Sequence, residues 1–203
     1  MKVDGDGRLI VRAPLFMSRF EIEAFIMKNS DWVMDRMRSV KLSNELYPRI
    51  QGRDGEEIPY LGGKITVRTG RVKRTSFSGT VLDIPGTDPL NEIERFYRSR
   101  AREILSKLTE ETARNLGFRY KSVSITGART RFGSCSGRDS INYSFRLIMY
   151  PEACLRYVVI HELCHTVEKN HSAAFWRLVR RAMPDCDRVR RYMKENGGLM
   201  NVI

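Results

Sequence analysis

The pattern of hydrophobic and polar positions near the start of the chain predicts one short strand and a helical segment. The run GRLIVRA at 7–13 alternates apolar and basic residues, which is typical of a strand. Pro14 and Ser18 follow, and apolar residues then recur at helical spacing between Phe20 and Met37. Polar residues at 29–31 interrupt this spacing, so we expect the helix to break into two pieces there.

The pattern changes between residues 50 and 90, where glycine and proline repeatedly interrupt short runs such as KITVR and TVLDI. Frequent turn residues between short β-branched runs are typical of a small β-rich lobe. A long amphipathic helix is predicted over 90–116, and Gly117 stands where a C-cap glycine belongs.

Two further strands are predicted by the runs SVSIT at 122–126 and SINYSF at 140–145, joined by a polar segment that contains glycine. Beyond them, the runs 151–167 and 172–183 predict two helices, and Pro184 ends the second. No internal repeat interrupts this order.

These elements predict an α+β fold. We expect a β-rich N-terminal lobe with one helix over 1–89, followed over 90–203 by a mainly helical domain with a small sheet.

Composition places the chain among globular proteins, with 203 residues of which 41% are hydrophobic and 30% are charged. No stretch approaches the roughly 18 uncharged apolar residues of a membrane helix, and the first residues lack the basic start and apolar run of a signal peptide. We therefore expect a cytoplasmic protein without membrane contact. The four cysteines form no C-x-x-C pair, so free and mostly buried thiols are expected, with Cys164 in the core.

The net charge of +12 is concentrated in two windows, residues 64–82 and 114–146. The first window holds five basic residues and no acid, and the second holds seven basic residues against Asp139 alone. Such clusters mark surfaces for nucleic acid or another acidic partner, and they equally occur on solvated faces. Nucleic acid is therefore a candidate partner, and both interpretations stay open.

All three histidines of the chain lie in one short segment, HELCHTVEKNH, which starts at His161. Four residues on an α-helix advance about 400°, so His161 and His165 project from the same face one turn apart. Two imidazoles placed in this way can bind one tetrahedral zinc ion. Glu162 lies about 100° around the helix from His161, where its carboxylate can reach a water beside the metal.

The third ligand depends on where this helix ends. In an unbroken helix, His171 would lie about 240° around from His165 and would face away. A helix end within 166–170 lets His171 fold back towards the metal, and Ser172 can then cap the next helix. Glu195 is the alternative third ligand, because one large class of such helices recruits a glutamate from a later helix.

Three protein ligands leave a fourth position open on zinc, which is the arrangement of a catalytic site. We therefore predict a zinc-dependent hydrolase, and among hydrolases an endopeptidase, with Glu162 as general base and protein or peptide as substrate. The alternative is a nucleic-acid-associated binding protein in which the zinc site is structural. Glu162 favours the enzyme, because a structural zinc site needs no general base.

Several short motifs occur together between residues 129 and 185. They are Arg131-Phe-Gly-Ser-Cys135, Arg146-Leu147, His161-Glu-Leu-Cys-His165, Asn170-His171-Ser172, Phe175-Trp176 and Met183-Pro184-Asp185. This series resembles the YgjP-like zinc metallopeptidase family, relatives of the SprT-like zincins, with Phe132 in place of the family's usual tryptophan. Weaker similarity reaches the N-terminal half, at 7–14 and 58–62.

The resemblance implies that the domain over 90–203 is zincin-like. It further implies that His161, His165 and His171 bind zinc and that Glu162 is catalytic. The family leaves the substrate open.

The RFGSC segment has two interpretations. Arg131 or Ser134 can contact substrate, because zincins bind peptides along a strand beside the metal helix. We favour the alternative, in which Gly133 makes a tight turn and Arg131 pairs with a carboxylate to brace it. Phe175 and Trp176 share helical spacing with apolar neighbours, so they are assigned to the core rather than to a cleft.

Overall fold

The computed structural model describes residues 1–203, which form two compact units. One unit is Met1–Arg49 with Val202, and the other is Ile50–Asn201 with Ile203. Six α-helices and three small sheets make a mixed fold, so the predicted α+β class is confirmed. None of the helices is both long enough and apolar enough to cross a membrane.

The first unit begins with two short strands, β1 (Lys2–Val3) and β2 (Leu9–Ile10), which pair antiparallel. The turn between them includes Gly7, whose φ of 79° is readily adopted by glycine. Because this turn occupies the start of the predicted strand at 7–13, β2 is shorter than the alternation of the sequence indicates.

Two helices follow in the first unit, α1 (Arg19–Lys28) and α2 (Ser30–Leu46). The Ser18 hydroxyl accepts a hydrogen bond from the Glu21 amide, and the Glu21 carboxylate accepts one from the Ser18 amide. This capping box starts α1 because it satisfies amide groups that have no partner within the helix. Asn29 separates the two helices, at the predicted break.

The second unit begins with a four-stranded sheet in the order β3-β4-β6-β5. Its strands are β3 (Glu57–Tyr60), β4 (Gly63–Gly70), β5 (Ser76–Phe77) and β6 (Val81–Pro85). The pairs are antiparallel except for β4 and β6, which run parallel. This sheet accounts for the β-rich character predicted for 50–90. A boundary between 1–89 and 90–203 stays a prediction.

Helix α3 (Pro89–Leu116) matches the predicted helix almost residue for residue. Its buried side includes Tyr97, Ala101 and Leu105, and it lies against β6, α4 and the second sheet. Gly117 ends it in the left-handed conformation with φ 70°. This long helix connects the two sheets of the second unit.

The second sheet has three strands in the order β7-β9-β8, namely β7 (Ser122–Thr126), β8 (Gly133–Cys135) and β9 (Ser140–Ser144). Strand β9 lies in the centre, parallel to β7 and antiparallel to β8. Strands β7 and β9 were predicted. The edge strand β8 was not, because it is short and polar and shows no alternation of apolar residues.

Three helices complete the second unit, α4 (Glu152–Cys164), α5 (Ala173–Ala182) and α6 (Cys186–Glu195). Helix α4 is central, since it contacts α3, α5, α6 and β8, and most of its residues are buried. Helix α6 was not predicted, because only three of its residues, Cys186, Val189 and Met193, are buried. The central position of α4 holds the histidine motif at its end in a rigid setting.

Candidate metal centre

Three histidine side chains converge at the end of α4. The Nε2 atom of His171 lies 3.1 Å from Nε2 of His161 and 3.2 Å from Nε2 of His165. One ring nitrogen from each histidine lies within 4.8 Å of the other two, a group that can hold one metal ion. Glu195, the alternative third ligand, is not part of this group.

The convergence depends on the early end of α4. The α-helix stops at Cys164, two residues before the segment 166–170 in which the sequence predicts its end. The next turn is tighter, because the Thr166 and Val167 amides donate to the Leu163 and Cys164 carbonyls, three residues back. The Thr166 hydroxyl also donates to the Leu163 carbonyl, at 2.8 Å. The chain can therefore reverse before residue 171.

The reversal ends at the start of α5. The Asn170 side-chain oxygen accepts a hydrogen bond from the Ser172 amide, and the Ser172 hydroxyl accepts one from the Phe175 amide at 3.2 Å. Ser172 is thus the predicted N-cap of α5. His171, directly before this cap, faces the other two imidazoles.

Two of the imidazoles are oriented by hydrogen bonds at Nδ1, the ring nitrogen that does not face the cluster. Nδ1 of His165 lies 3.0 Å from the Glu168 carbonyl oxygen, and Nδ1 of His161 lies 3.4 Å from the Tyr157 hydroxyl. A carbonyl oxygen can only accept, so Nδ1 of His165 carries the proton and its Nε2 keeps a free lone pair. Partners of this kind set the tautomer of metal-binding histidines.

Two aromatic side chains, Phe175 and Trp176, pack against the imidazole rings. Phe175 is fully buried, stacks on His165 with ring centroids 4.4 Å apart, and contacts the rings of His161 and His171 edge-on. Trp176 stacks on His171 with centroids 5.8 Å apart. Phe175 is therefore in the core, as predicted. Its ring also packs against all three imidazoles, a contact that helical spacing alone does not reveal.

Burial keeps His161 and His165 in the form that binds metals. Burial, followed by the nearby His165, His171 and Arg190, lowers the pKa of His161 to about 3. Burial also lowers the pKa of His165. These two imidazoles are consequently neutral at pH 7, and a neutral imidazole has a lone pair for a metal.

Glu162 is buried between α4 and the edge strand β8. Only 5% of its surface is exposed, and burial raises the pKa of its carboxyl group to about 8. The backbone of Gly133 lies directly on this carboxyl group, since a β-carbon at Gly133 would stand 2.6 Å from Oε1. Gly133 is thus required for a close approach within a strand, and its interpretation as the centre of a tight turn is wrong.

Strand β8 presents an open edge beside this glutamate. The Ser144 amide donates to the Phe132 carbonyl at 2.8 Å, and the Ser136 amide donates to the Ser140 carbonyl at 2.9 Å. Because backbone groups alternate in direction along a strand, those of Gly133 and Cys135 point away from β9, towards the open edge. This edge can pair with another extended chain.

A pocket of about 350 Å³ adjoins the site on the Glu162 side. Its walls include His161, Glu162 and Gly133, together with residues of α6. Arg131 lies at its rim, is exposed and forms no ion pair, so the predicted brace between Arg131 and a carboxylate is absent. Arg131 also borders a second pocket, of about 340 Å³, on the other side of β8.

The basic windows of the sequence are partly neutralised in the structure. Lys64 pairs with Glu57, Arg68 pairs with Asp83, and Arg114 pairs with Glu110. Arg146 is buried, and its guanidinium donates to the carbonyl oxygens of Gly127 and Ile203. Four of the twelve basic residues in the two windows are therefore paired or buried.

The four cysteines are free, as expected. Cys154, Cys164 and Cys186 are buried, whereas Cys135 is partly exposed in β8.

A buried helix that presents two histidines and a glutamate, with a third histidine folded back on the pair, has the arrangement of a metallopeptidase site. The model of the YgjP-like, metallopeptidase domain family matches residues 1–196, and the chain belongs to that family. This confirms the resemblance found in the sequence. A search of curated proteins found no match.

Two solved structures are similar to this chain, both of metallopeptidase zymogens. Abylysin of Pyrococcus abyssi has 24% identity and a TM-score of 0.41, covering 45% of this chain and 93% of its own. Jannalysin of Methanocaldococcus jannaschii has 19% identity and a TM-score of 0.41, covering 45% of this chain and 94% of its own.

Proposed function

We propose that this protein is a zinc-dependent endopeptidase in which His161, His165 and His171 bind zinc and Glu162 is the general base. The observation that carries the proposal is the convergence of three Nε2 atoms, with separations of 3.1 and 3.2 Å, next to a buried glutamate. The family membership supports the peptidase activity.

The donor set fits zinc. A tetrahedral ion with zinc–nitrogen bonds of about 2.0–2.1 Å separates its ligand nitrogens by about 3.3–3.4 Å, close to the separations of 3.1 and 3.2 Å found here. Three imidazole ligands suit zinc better than calcium or magnesium, which prefer oxygen. When bound, zinc supplies a Lewis acid that polarises the scissile carbonyl.

Glu162 accounts for the proton transfers. In the zinc-loaded protein the nearby cation would favour the ionised form of Glu162. This carboxylate takes a proton from the attacking water and then delivers that proton to the leaving amine. Its position between α4 and β8 restrains the carboxylate, since the Gly133 backbone prevents it from turning towards the sheet. The protein thus provides an oriented base.

The substrate chain is extended along the open edge of β8. The backbone groups of Gly133 and Cys135 pair with it, as in other cases of strand addition. Pairing through the main chain accepts many sequences, which suits a peptidase that acts on protein or peptide. Side-chain pockets next to the strand then set the preference among substrates.

The proposal is tested by removing and restoring the metal. Protein prepared with a chelator should lose hydrolysis of an unfolded protein such as casein, and one equivalent of zinc should restore it. The amount of zinc bound, measured by mass spectrometry of the metal, should be one per chain. Full hydrolysis by metal-free protein, or a stoichiometric zinc site without hydrolysis in the presence or absence of DNA, would reject the peptidase in favour of a structural site.

A further inference from the structure

The pocket beside Glu162 has apolar walls and a basic rim. Phe132, Val158 and Met193 contribute apolar walls, and Arg131, Arg190 and Lys194 contribute cations. Its volume of about 350 Å³ is sufficient for one long side chain. Glu162 is the only acidic residue on its walls.

The position of Glu162 indicates which substrate residue enters this pocket. The argument rests on the proposed function, in which Glu162 delivers a proton to the leaving amine. The pocket is lined by Glu162 and His161 but not by His165 or His171, so it lies on the Glu162 side of the histidine cluster. The side chain that it receives therefore belongs to the residue that carries the leaving amine, which we call the leaving-side residue.

The cations at the rim differ in how far they are already paired. The Arg190 guanidinium contacts Asp187 at 3.1 Å and lies 4.3 Å from the centre of the Trp176 ring. Lys194, one helical turn further along α6, is exposed and forms no ion pair, and neither does Arg131. Two cations thus remain available to an anion in the pocket.

We propose that this pocket selects glutamate as the leaving-side residue and that Lys194 is the main specificity-determining residue. The apolar walls contact the methylene stem of the glutamate, and its carboxylate reaches the basic rim. The longer side chain suits the pocket better than aspartate, because it carries the negative charge further from Glu162. A contact between exposed charges is modest, so we expect roughly a fivefold to tenfold preference over glutamine in kcat/KM.

The test uses three peptides that differ only at the leaving-side residue, which is glutamate, glutamine or lysine. The zinc-loaded parent should cleave them in that order of kcat/KM. Lys194→Glu should lower the ratio for glutamate over lysine by at least tenfold. Lys28→Glu makes the same charge change at an exposed lysine that does not line the pocket, and it should leave the ratio unchanged.

A second measurement makes the result independent of catalysis. Binding of the same peptides to metal-free parent, followed by fluorescence anisotropy, should show the same order and should weaken in high salt. Equal binding and cleavage of the glutamate and glutamine peptides would overturn the pocket assignment while leaving the peptidase intact. Absence of cleavage for all peptides would reject the proposed function, and the binding order would still decide whether the pocket selects an acid.

Discussion

The backbone of Gly133 lies against the carboxyl group of Glu162 so closely that a β-carbon there would stand 2.9 Å from Cδ and 2.6 Å from Oε1. These distances are far below van der Waals contact, and strand β8 and helix α4 are both held by their neighbours. Glycine is therefore the residue that lets the edge strand and the proposed general base share this space. The edge that we propose binds substrate and the group that we propose activates water are therefore positioned together.

Replacing Gly133 with alanine is expected to displace Glu162 and to lower kcat/KM by about 100-fold, because small misplacements of catalytic groups have effects of this size. Zinc content should stay near one per chain, since the histidines lie elsewhere. Ser134→Ala is the matched control, because the Ser134 side chain lies on the other face of β8. Equal activity of Gly133→Ala and Ser134→Ala would contradict the steric argument.

Phe175 is expected to contribute to metal affinity although it has no metal-binding atom. Its ring contacts all three imidazoles, so Phe175→Leu should weaken zinc binding by about 10-fold to 100-fold through loss of orientation. Val179→Ala, at another buried position of α5, should lower the free energy of unfolding without this loss of affinity. Competition with a fluorescent zinc chelator measures the affinity, and equal affinities of the two variants would count against the supporting role.

Two substitutions test whether His171 or Glu195 is the third zinc ligand. His171→Ala should reduce zinc affinity strongly and abolish hydrolysis, because only His161 and His165 would remain. Glu195→Ala should leave both quantities unchanged, since Glu195 is outside the histidine cluster. Metal analysis after dialysis against a weak chelator compares the two variants. Retention of zinc by His171→Ala together with loss by Glu195→Ala would reverse the assignment.

The buried carboxyl group of Glu162 predicts a pH dependence of stability in the metal-free protein. Burial raises its pKa from 4.5 to about 8, so between these values the folded protein keeps a proton that the unfolded chain has lost. The free energy of unfolding therefore falls as pH rises through this window, and it does so by up to about 5 kcal/mol. Below pH 4.5 the group is protonated in both states, and above pH 8 it is ionised in both.

Glu162→Gln removes this titration and leaves the other groups in place. The free energy of unfolding of the parent, relative to Glu162→Gln, should accordingly fall between pH 5 and pH 8. Urea unfolding in the presence of a chelator measures the free energy of unfolding of the parent and of Glu162→Gln at pH 5 and at pH 8. A difference that is constant across this range would show that Glu162 is not buried as a neutral group.

The helical pattern of the sequence predicted α3 and the break between α1 and α2, because amphipathic spacing and capping residues are local signals. It also brought His161 and His165 to one face, since four residues make about one turn. His171 can join them only if the helix ends before residue 171, and the sequence permits such an end without requiring it. The structure shows this end at Cys164.

The elements that the sequence did not predict are those that depend on tertiary contacts. Strand β8 has three residues without apolar alternation, and it exists because it pairs with β9. The need for glycine at Gly133 comes from Glu162, almost thirty residues away along the chain. Local patterns cannot indicate such a contact, and the tight turn was therefore the wrong interpretation. The signal that was present was a glycine in a motif shared with a metallopeptidase family.

The most direct test of the central claim is the hydrolysis of an unfolded protein by zinc-loaded Glu162→Gln, with zinc content measured on the same sample. Removal of a general base costs about 100-fold to 10,000-fold in rate. We predict one zinc per chain and a loss of hydrolysis of this size, because glutamine preserves the shape of the side chain but cannot accept the proton. A Glu162→Gln protein that binds zinc and still hydrolyses protein at the parental rate would contradict the account.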